Sequence, residues 1–178
     1  KELNPDMIIP GHGVIWRSHT ADILDAYESW SSKTPETGAL VVFDSMWHST
    51  ELMAQAIAEG FSRKQVPVHL VDLKTEHISD ILPFVLDCKY IAAGSPTLNN
   101  NMMPNMAAFL CYLKGLSPKK REAFAFGSYG WGGQSVAQVE EELVKCGFNI
   151  CMDKIRIQYV PTKEQLLEIE SKVEALVS

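Results

Sequence analysis

The sequence predicts an α/β protein: a doubly wound, five-stranded parallel sheet in the order 2-1-3-4-5, with helices on both faces. Two observations carry this. Short apolar runs alternate five times with stripes of helical spacing, as βα repeats around a parallel sheet require. Right-handed crossovers then leave few topologies, and five strands suit the 2-1-3-4-5 order. The chain has 178 residues, 46% of them hydrophobic, enough to fill one core on a prior of about 100–200 residues per domain.

Before the alternation, Ile23, Tyr27 and Trp30 mark one helix. Ser31 to Gly38, rich in Ser, Thr, Pro and Gly, then reads as a linker. Ala39 to Phe43 is continuously apolar, as a strand buried on both faces must be. Met53, Ala56, Ile57, Gly60 and Phe61 follow at helical spacing. Val66 to Val71 is strand 2, and Ile78, Ile81, Leu82, Val85 and Leu86 stripe the next helix. Strand 3 runs from Tyr90 to Ala93 and ends at Gly94; Met106, Phe109, Leu110 and Leu113 follow as a helix. Strand 4 runs from Ala123 to Phe126 and ends at Gly127. Val136, Val139, Leu143 and Val144 stripe a helix, with Gly147 placed as its C-terminal cap. Ile150 to Val160 reads as a fifth strand with a polar interruption at Asp153-Lys154. Leu166, Ile169, Val173, Leu176 and Val177 close the pattern as a helix.

Composition narrows the function classes. Sixteen Lys and Arg stand against 22 Asp and Glu, a net charge of −6, so the general footprint of a nucleic-acid binder is missing. No apolar run approaches the roughly 20 residues of a membrane span. Lys1 to Asp6 lacks the basic-then-apolar order of a signal peptide, and residue 1 is not Met, so it is not expected to be the native start. Four scattered cysteines, Cys88, Cys111, Cys146 and Cys151, form no Cys-x-x-Cys pair. They read as reduced thiols packed like small hydrophobes in a cytoplasmic protein.

In a sheet of this order the ligand sits beyond the C-terminal strand ends, beside strand 1. Three loops therefore matter. The first, Asp44 to Glu51, brings Ser45, Ser49, Thr50, His48 and a run of N–H groups to a helix N-terminus. It can hold a phosphate without Lys or Arg, or Ser49 or Thr50 can simply cap the helix. The second, Gly94 to Pro104, is amide-rich and stiffened by two prolines; it can face a heterocycle edge or be an ordinary turn. The third, Gly127 to Gln134, holds four glycines with Tyr129 and Trp131 among them, suiting close backbone approach to a flat ring. No G-x-x-x-x-G-K-[ST] occurs, and no G-x-G-x-x-G follows strand 1, so P-loop and dinucleotide sites are not expected. A phospho-acceptor receiver would end strand 3 with Asp, where Gly94-Ser95 stand.

The first loop, Ser45-Met46-Trp47-His48-Ser49-Thr50-Glu51, resembles the T-x-x-x-[NS]-T-E phosphate loop of flavodoxins. Its Trp-His variant is similar to that of the flavodoxin domain of A-type flavoproteins, also called flavodiiron proteins. Ser95-Pro96-Thr97 and Gly127-Ser128-Tyr129-Gly130-Trp131 match that family's second and third flavin loops. Pro10-Gly11-His12-Gly13-Val14-Ile15-Trp16-Arg17 resembles the stretch that closes the metallo-β-lactamase-like domain in the same proteins, with Gly11 where Ser is common.

The resemblance implies a flavodoxin-like, FMN-binding domain over residues 38–178. Residues 1–37 would be the end of a metallo-β-lactamase-like domain plus a linker. Ser45, Ser49 and Thr50 hydroxyls, with the Met46, Trp47 and His48 amides, would hold the phosphate. Ser95, Pro96, Thr97, Leu98 and Asn99 would line one side of the isoalloxazine, and Ser128, Tyr129, Gly130, Trp131, Gly132 and Gly133 the other. The family relays electrons through FMN to a di-iron centre that reduces O2 to water or NO to N2O. It does so in a head-to-tail homodimer supplied by a donor such as rubredoxin or a reductase. His12 is the only matching iron ligand, so this chain alone is expected to carry electrons without completing that reaction. A stand-alone NAD(P)H:quinone reductase of the same fold is the alternative, and a flavin-free interaction module is a third reading.

Overall fold

The structure, a computed structural model, describes residues 5–32, 34–116, 118 and 120–177. Lys1 to Asn4 of the chain start and Lys33 of the expected linker lie outside the described residues. The chain divides into two units, Lys1–Lys33 and Thr34–Ser178.

In the first unit, a bridge pairs Ile8 with Trp16, each donating its N–H to the other's carbonyl at 3.0 Å. Helix α1 spans Thr20–Ser32, so Ser31 and Ser32 belong to a helix rather than to the expected linker. Of its apolar stripe only Ile23 is buried; Tyr27 and Trp30 pack edge-to-face in the open, with ring centroids 5.5 Å apart.

The second unit alternates as expected. The elements are β1 (Ala39–Phe43), α2 (Ser49–Arg63), β2 (Val68–Asp72), α3 (Ile78–Asp87), β3 (Tyr90–Gly94), α4 (Pro104–Leu116), β4 (Glu122–Tyr129), α5 (Gln134–Lys145), β5 (Asn149–Ile150), β6 (Ile155–Gln158) and α6 (Lys163–Leu176). All pairings are parallel, in the order β2-β1-β3-β4-β5, with β6 also on β4. The sheet is thus flavodoxin-like.

Its fifth lane is two strands, not one. Asn149 and Ile150 pair with Glu122 and Ala123; Ile155 to Gln158 pair with Phe126 to Tyr129. Between them Met152 to Lys154 belong to neither strand, and Lys154 Nζ pairs with Glu140 at 2.7 Å. Strand 2 starts late because Pro67 has no N–H to donate; it contributes only its carbonyl, to the Ala39 N–H. Strand 4 runs on through Gly127, Ser128 and Tyr129, because β6 pairs with them.

Alternation along the strands sorts the core into two layers. Leu40, Val42, Ile91, Ala93 and Ala125 face α3, α4 and α5 through Val85, Phe109, Leu110 and Val139. Val41, Phe43, Ala92, Phe124 and Phe126 face α2 and α6 through Met53, Ile57, Phe61 and Val173. Each Val, Leu, Ile, Phe or Met among them contributes about 1.5–3 kcal/mol on burial. Val144 and Leu86, read as stripe residues, stay exposed. Gly147 does follow α5 in the left-handed region, at φ 82°. Buried Arg121 donates to the Val85 and Leu86 carbonyls at the end of α3, at 3.0 and 2.9 Å.

The four cysteines are free, and Cys111 is exposed rather than packed. Burial pushes the Cys88 thiol up to about 11 and that of Cys151 up to about 12. Helix α6 begins with a reciprocal cap: Thr162 Oγ1 accepts the Gln165 N–H, and Gln165 Oε1 accepts the Thr162 N–H. Thr162→Ala should therefore cost about 1 kcal/mol, visible as a lowered urea midpoint with an unchanged slope.

Candidate functional site

The ends of β1, β3, β4 and β6 surround a cleft of about 420 Å³. From the first loop it is lined by Met46, Trp47 and Ser49. Pro96, Thr97 and Asn99 come from the second, and Ser128, Tyr129, Gly130, Trp131 and Gly132 from β4 and the loop after it. The structure thus brings eleven of the expected residues together at one mouth.

The others lie behind or beside it. Ser45 and Thr50 are buried under the first loop. Ser95 is buried and tied down: its Oγ donates to Pro96 O at 2.9 Å and accepts the Met103 N–H at 2.8 Å. Leu98 pairs with Asn101 across a small turn, and Gly133 is the N-cap of α5. His48 sits outside the cleft lining, its Nδ1 2.7 Å from Glu51 Oε2.

The N-terminus of α2 is bare. Ser49 and Thr50 are its first two helical residues, so neither is the cap. The N-cap is His48, in the left-handed region at φ 64°, and its side chain caps nothing. The N–H groups of Met46 to Thr50 have no protein partner among the described residues. Ser45 Oγ beside them is buried and equally without one. Unpaired donors at the positive end of a helix dipole form an anion site.

Hydroxyls lock the three loops together. Thr50 Oγ1 lies 2.9 Å from Ser128 Oγ. Thr97 Oγ1 lies 2.8 Å from Ser135 Oγ, which also donates to Ser95 O at 3.0 Å. The Ser95 and Thr97 N–H groups donate to Phe126 O and Ser128 O, each at 3.1 Å. At the rim, Trp47 is 84% and Trp131 96% exposed. Two large apolar faces left in water beside a cleft mark a place for a flat ligand.

Sequence reading missed Asn100, Tyr159 and Val160, which also line the cleft. Tyr159 and Val160 directly follow β6, where the fifth strand was expected to run on to Val160. It also expected no cation at the first loop, yet Lys74 Nζ donates to the Ser45 carbonyl. Ser135 was equally unmarked.

The flavodoxin family model matches residues 41–171. The chain belongs to the flavodoxin family. It is a flavodoxin-like domain of the flavodiiron kind. A nitric oxide reductase of Moorella thermoacetica is 34% identical over 175 residues, covering 96% of this chain and 44% of that protein. The rubredoxin oxygen:oxidoreductase structure from Desulfovibrio gigas superposes with a TM-score of 0.90 at 34% identity, over 97% of this chain and 44% of that one. The flavodiiron protein of Giardia intestinalis gives 0.83 at 30% identity, over 97% and 43%. The chain spans less than half the length of these relatives.

The residues present fit the family's cofactor, FMN. An unpartnered buried hydroxyl and bare helix amides suit a terminal phosphate, and the cleft between two open Trp faces suits a ring. His12 lies exposed in the segment between Ile8 and Trp16. Among the described residues no group of three or more His, Cys, Asp or Glu could hold a metal ion, and one imidazole does not make such a site. Among them, too, no helix is long and apolar enough to cross a membrane.

Proposed function

We propose that this domain binds one FMN in the cleft and carries electrons within a flavodiiron protein. The uncapped start of α2, opening onto a cleft walled by Trp47 and Trp131, carries this reading. Ser45 Oγ, Ser49 Oγ and the amides of Met46 to Thr50 hold the phosphate. Thr50 keeps a bond to Ser128 and has hydrogen-bonding capacity to spare at its hydroxyl. Pro96, Thr97 and Asn99 flank the ring on one side, with Ser95 and Leu98 shaping their loop. Ser128 to Gly132 flank the other, with Gly133 starting the helix behind them. FMN, when bound, supplies one- and two-electron transfer. The chain's own groups bind, orient and partly exclude water.

The reading extends to the whole protein through its relatives. One is named an oxygen oxidoreductase and another a nitric oxide reductase, which supports reduction of O2 to water or of NO to N2O at a di-iron centre. His12 would be one ligand there, completed by residues this chain does not bring together. A head-to-tail homodimer would set this cleft against the partner's di-iron domain, with rubredoxin or a reductase as donor. Four free thiols suit a reducing, cytoplasmic setting.

Protein freed of ligand and mixed with FMN should take up one equivalent per chain and show the visible bands of a protein-held flavin after gel filtration. Protein that stays colourless after excess FMN would sink the proposal.

A further inference from the structure

A buried acid lies beneath the first loop and makes none of the contacts assigned to the flavin. Asp44 directly follows β1, fully buried, and its N–H donates to Gly94 O at 3.0 Å. Its Oδ1 accepts the Ser45 N–H at 2.8 Å, while Lys74 Nζ donates to the Ser45 carbonyl. Both main-chain polar groups of Ser45 are thereby held by side chains, and only its hydroxyl is left over. That hydroxyl and Asp44 Oδ2 are both buried without a hydrogen-bond partner. Two unpartnered oxygens on adjacent residues, beside bare helix amides, form a place where an arriving anion changes the balance of charge.

We infer that Asp44 is a positioning residue that couples anion binding at the first loop to uptake of a proton from solvent. The inference rests on the FMN reading and names a regulation of that same site. The groups facing Asp44 are Lys74 from the turn after β2, Asp72 at the end of β2 and the Asn105 amide in the first turn of α4. On α2, His48 and Glu51 are bound to each other. Burial pushes the Asp44 carboxyl above its ordinary 3.8; the Ser45 hydrogen bond, the Lys74 charge and the Asn105 side-chain amide pull it back, and the Asp72 charge pushes it up again. A phosphate beside Ser45 adds negative charge and displaces water, and both favour the neutral acid. Asp44 therefore holds its proton to higher pH when the site is filled. Between the free and filled values, binding takes up a proton, and affinity falls as pH rises through that window. Above the window a carboxylate remains beside the phosphate and weakens binding throughout.

The test is calorimetric titration of FMN into ligand-free protein, in two buffers of different ionisation enthalpy, from about pH 4 to 7. Wild type is compared with Asp44→Asn, which cancels the proton release of the phosphate itself. Wild type should take up more protons than Asp44→Asn, by a sizeable fraction of one. Asp44→Asn should bind FMN several-fold tighter at neutral pH, and riboflavin should show neither difference. Equal proton balance in the two proteins would overturn the coupling and leave FMN binding standing. Absence of FMN binding by wild type would overturn the flavin reading and the coupling together. If circular dichroism shows Asp44→Asn unfolded, Lys74→Met carries the test. Without that cation the uptake window should move to higher pH, and an unmoved window overturns the coupling.

Discussion

Gly127→Ala should destabilise the domain strongly while leaving it folded in the absence of denaturant. Gly127 lies inside β4, opposite Arg156 of β6, and a Cβ there would sit 2.0 Å from the Ser95 carbonyl oxygen and 3.0 Å from Val136 Cγ2. Neither wall can retreat. Ser95 is held by Phe126 O on its N–H, by Ser135 Oγ on its carbonyl and by Met103 on its hydroxyl. Phe126, next in the strand, is paired on both sides, with Gly94 and Ile155. Overpacking against fixed backbone lies at the top of its usual range, about 3 kcal/mol or more. That is a large part of a typical domain's 5–15 kcal/mol, roughly. Urea unfolding checks this, and a loss below about 1 kcal/mol would show that the second loop yields.

Gly130→Val should do the opposite: abolish FMN binding while the fold stays intact. An added Cβ at Gly130 meets nothing nearer than Tyr159 Cε1 at 4.0 Å, and Gly130 is not among the residues at positive φ. Both residues line the cleft. The valine thus fits, but in the space proposed for the ring. Stability should stay within about 0.5 kcal/mol. FMN affinity should fall about a hundredfold or more, which is about 2.7 kcal/mol. Equal FMN affinity in Gly130→Val and wild type would place the ring elsewhere.

These two glycines also show what sequence reading can reach. β1 and β3, and the body of β4, were legible because burial on both faces demands unbroken apolar runs, and their residues supply them. Gly127 misled as a strand end, since a glycine required by the carbonyl of a residue distant in the chain looks the same as a loop glycine; its reason is Ser95. The break between β5 and β6 announced itself only as Asp153-Lys154, and the two separate registers along β4 that define it are tertiary.

The site divides the same way. Topology pointed to the three loops, because ligand position in this fold follows from strand order. It could not say whether Ser49 and Thr50 cap α2, since the answer lies in the left-handed turn at His48. Nor could spacing show that Thr50 reaches Ser128 or that Lys74 reaches Ser45. Tyr159 and Val160 were passed over because they were read as the end of the fifth strand, whereas β6 stops at Gln158 and leaves both exposed at the cleft.

The central claim is that the bare start of α2 holds the phosphate of FMN. Paired fluorescence titrations of the ligand-free protein with FMN and with riboflavin test it most directly, because the two ligands differ only in that group. Hydrogen bonds to a charged oxygen are worth about 1.5–3 kcal/mol each, so two of them put FMN ahead by at least about a hundredfold. FMN binding that much more tightly is the predicted result; equal affinity for the two ligands would contradict it.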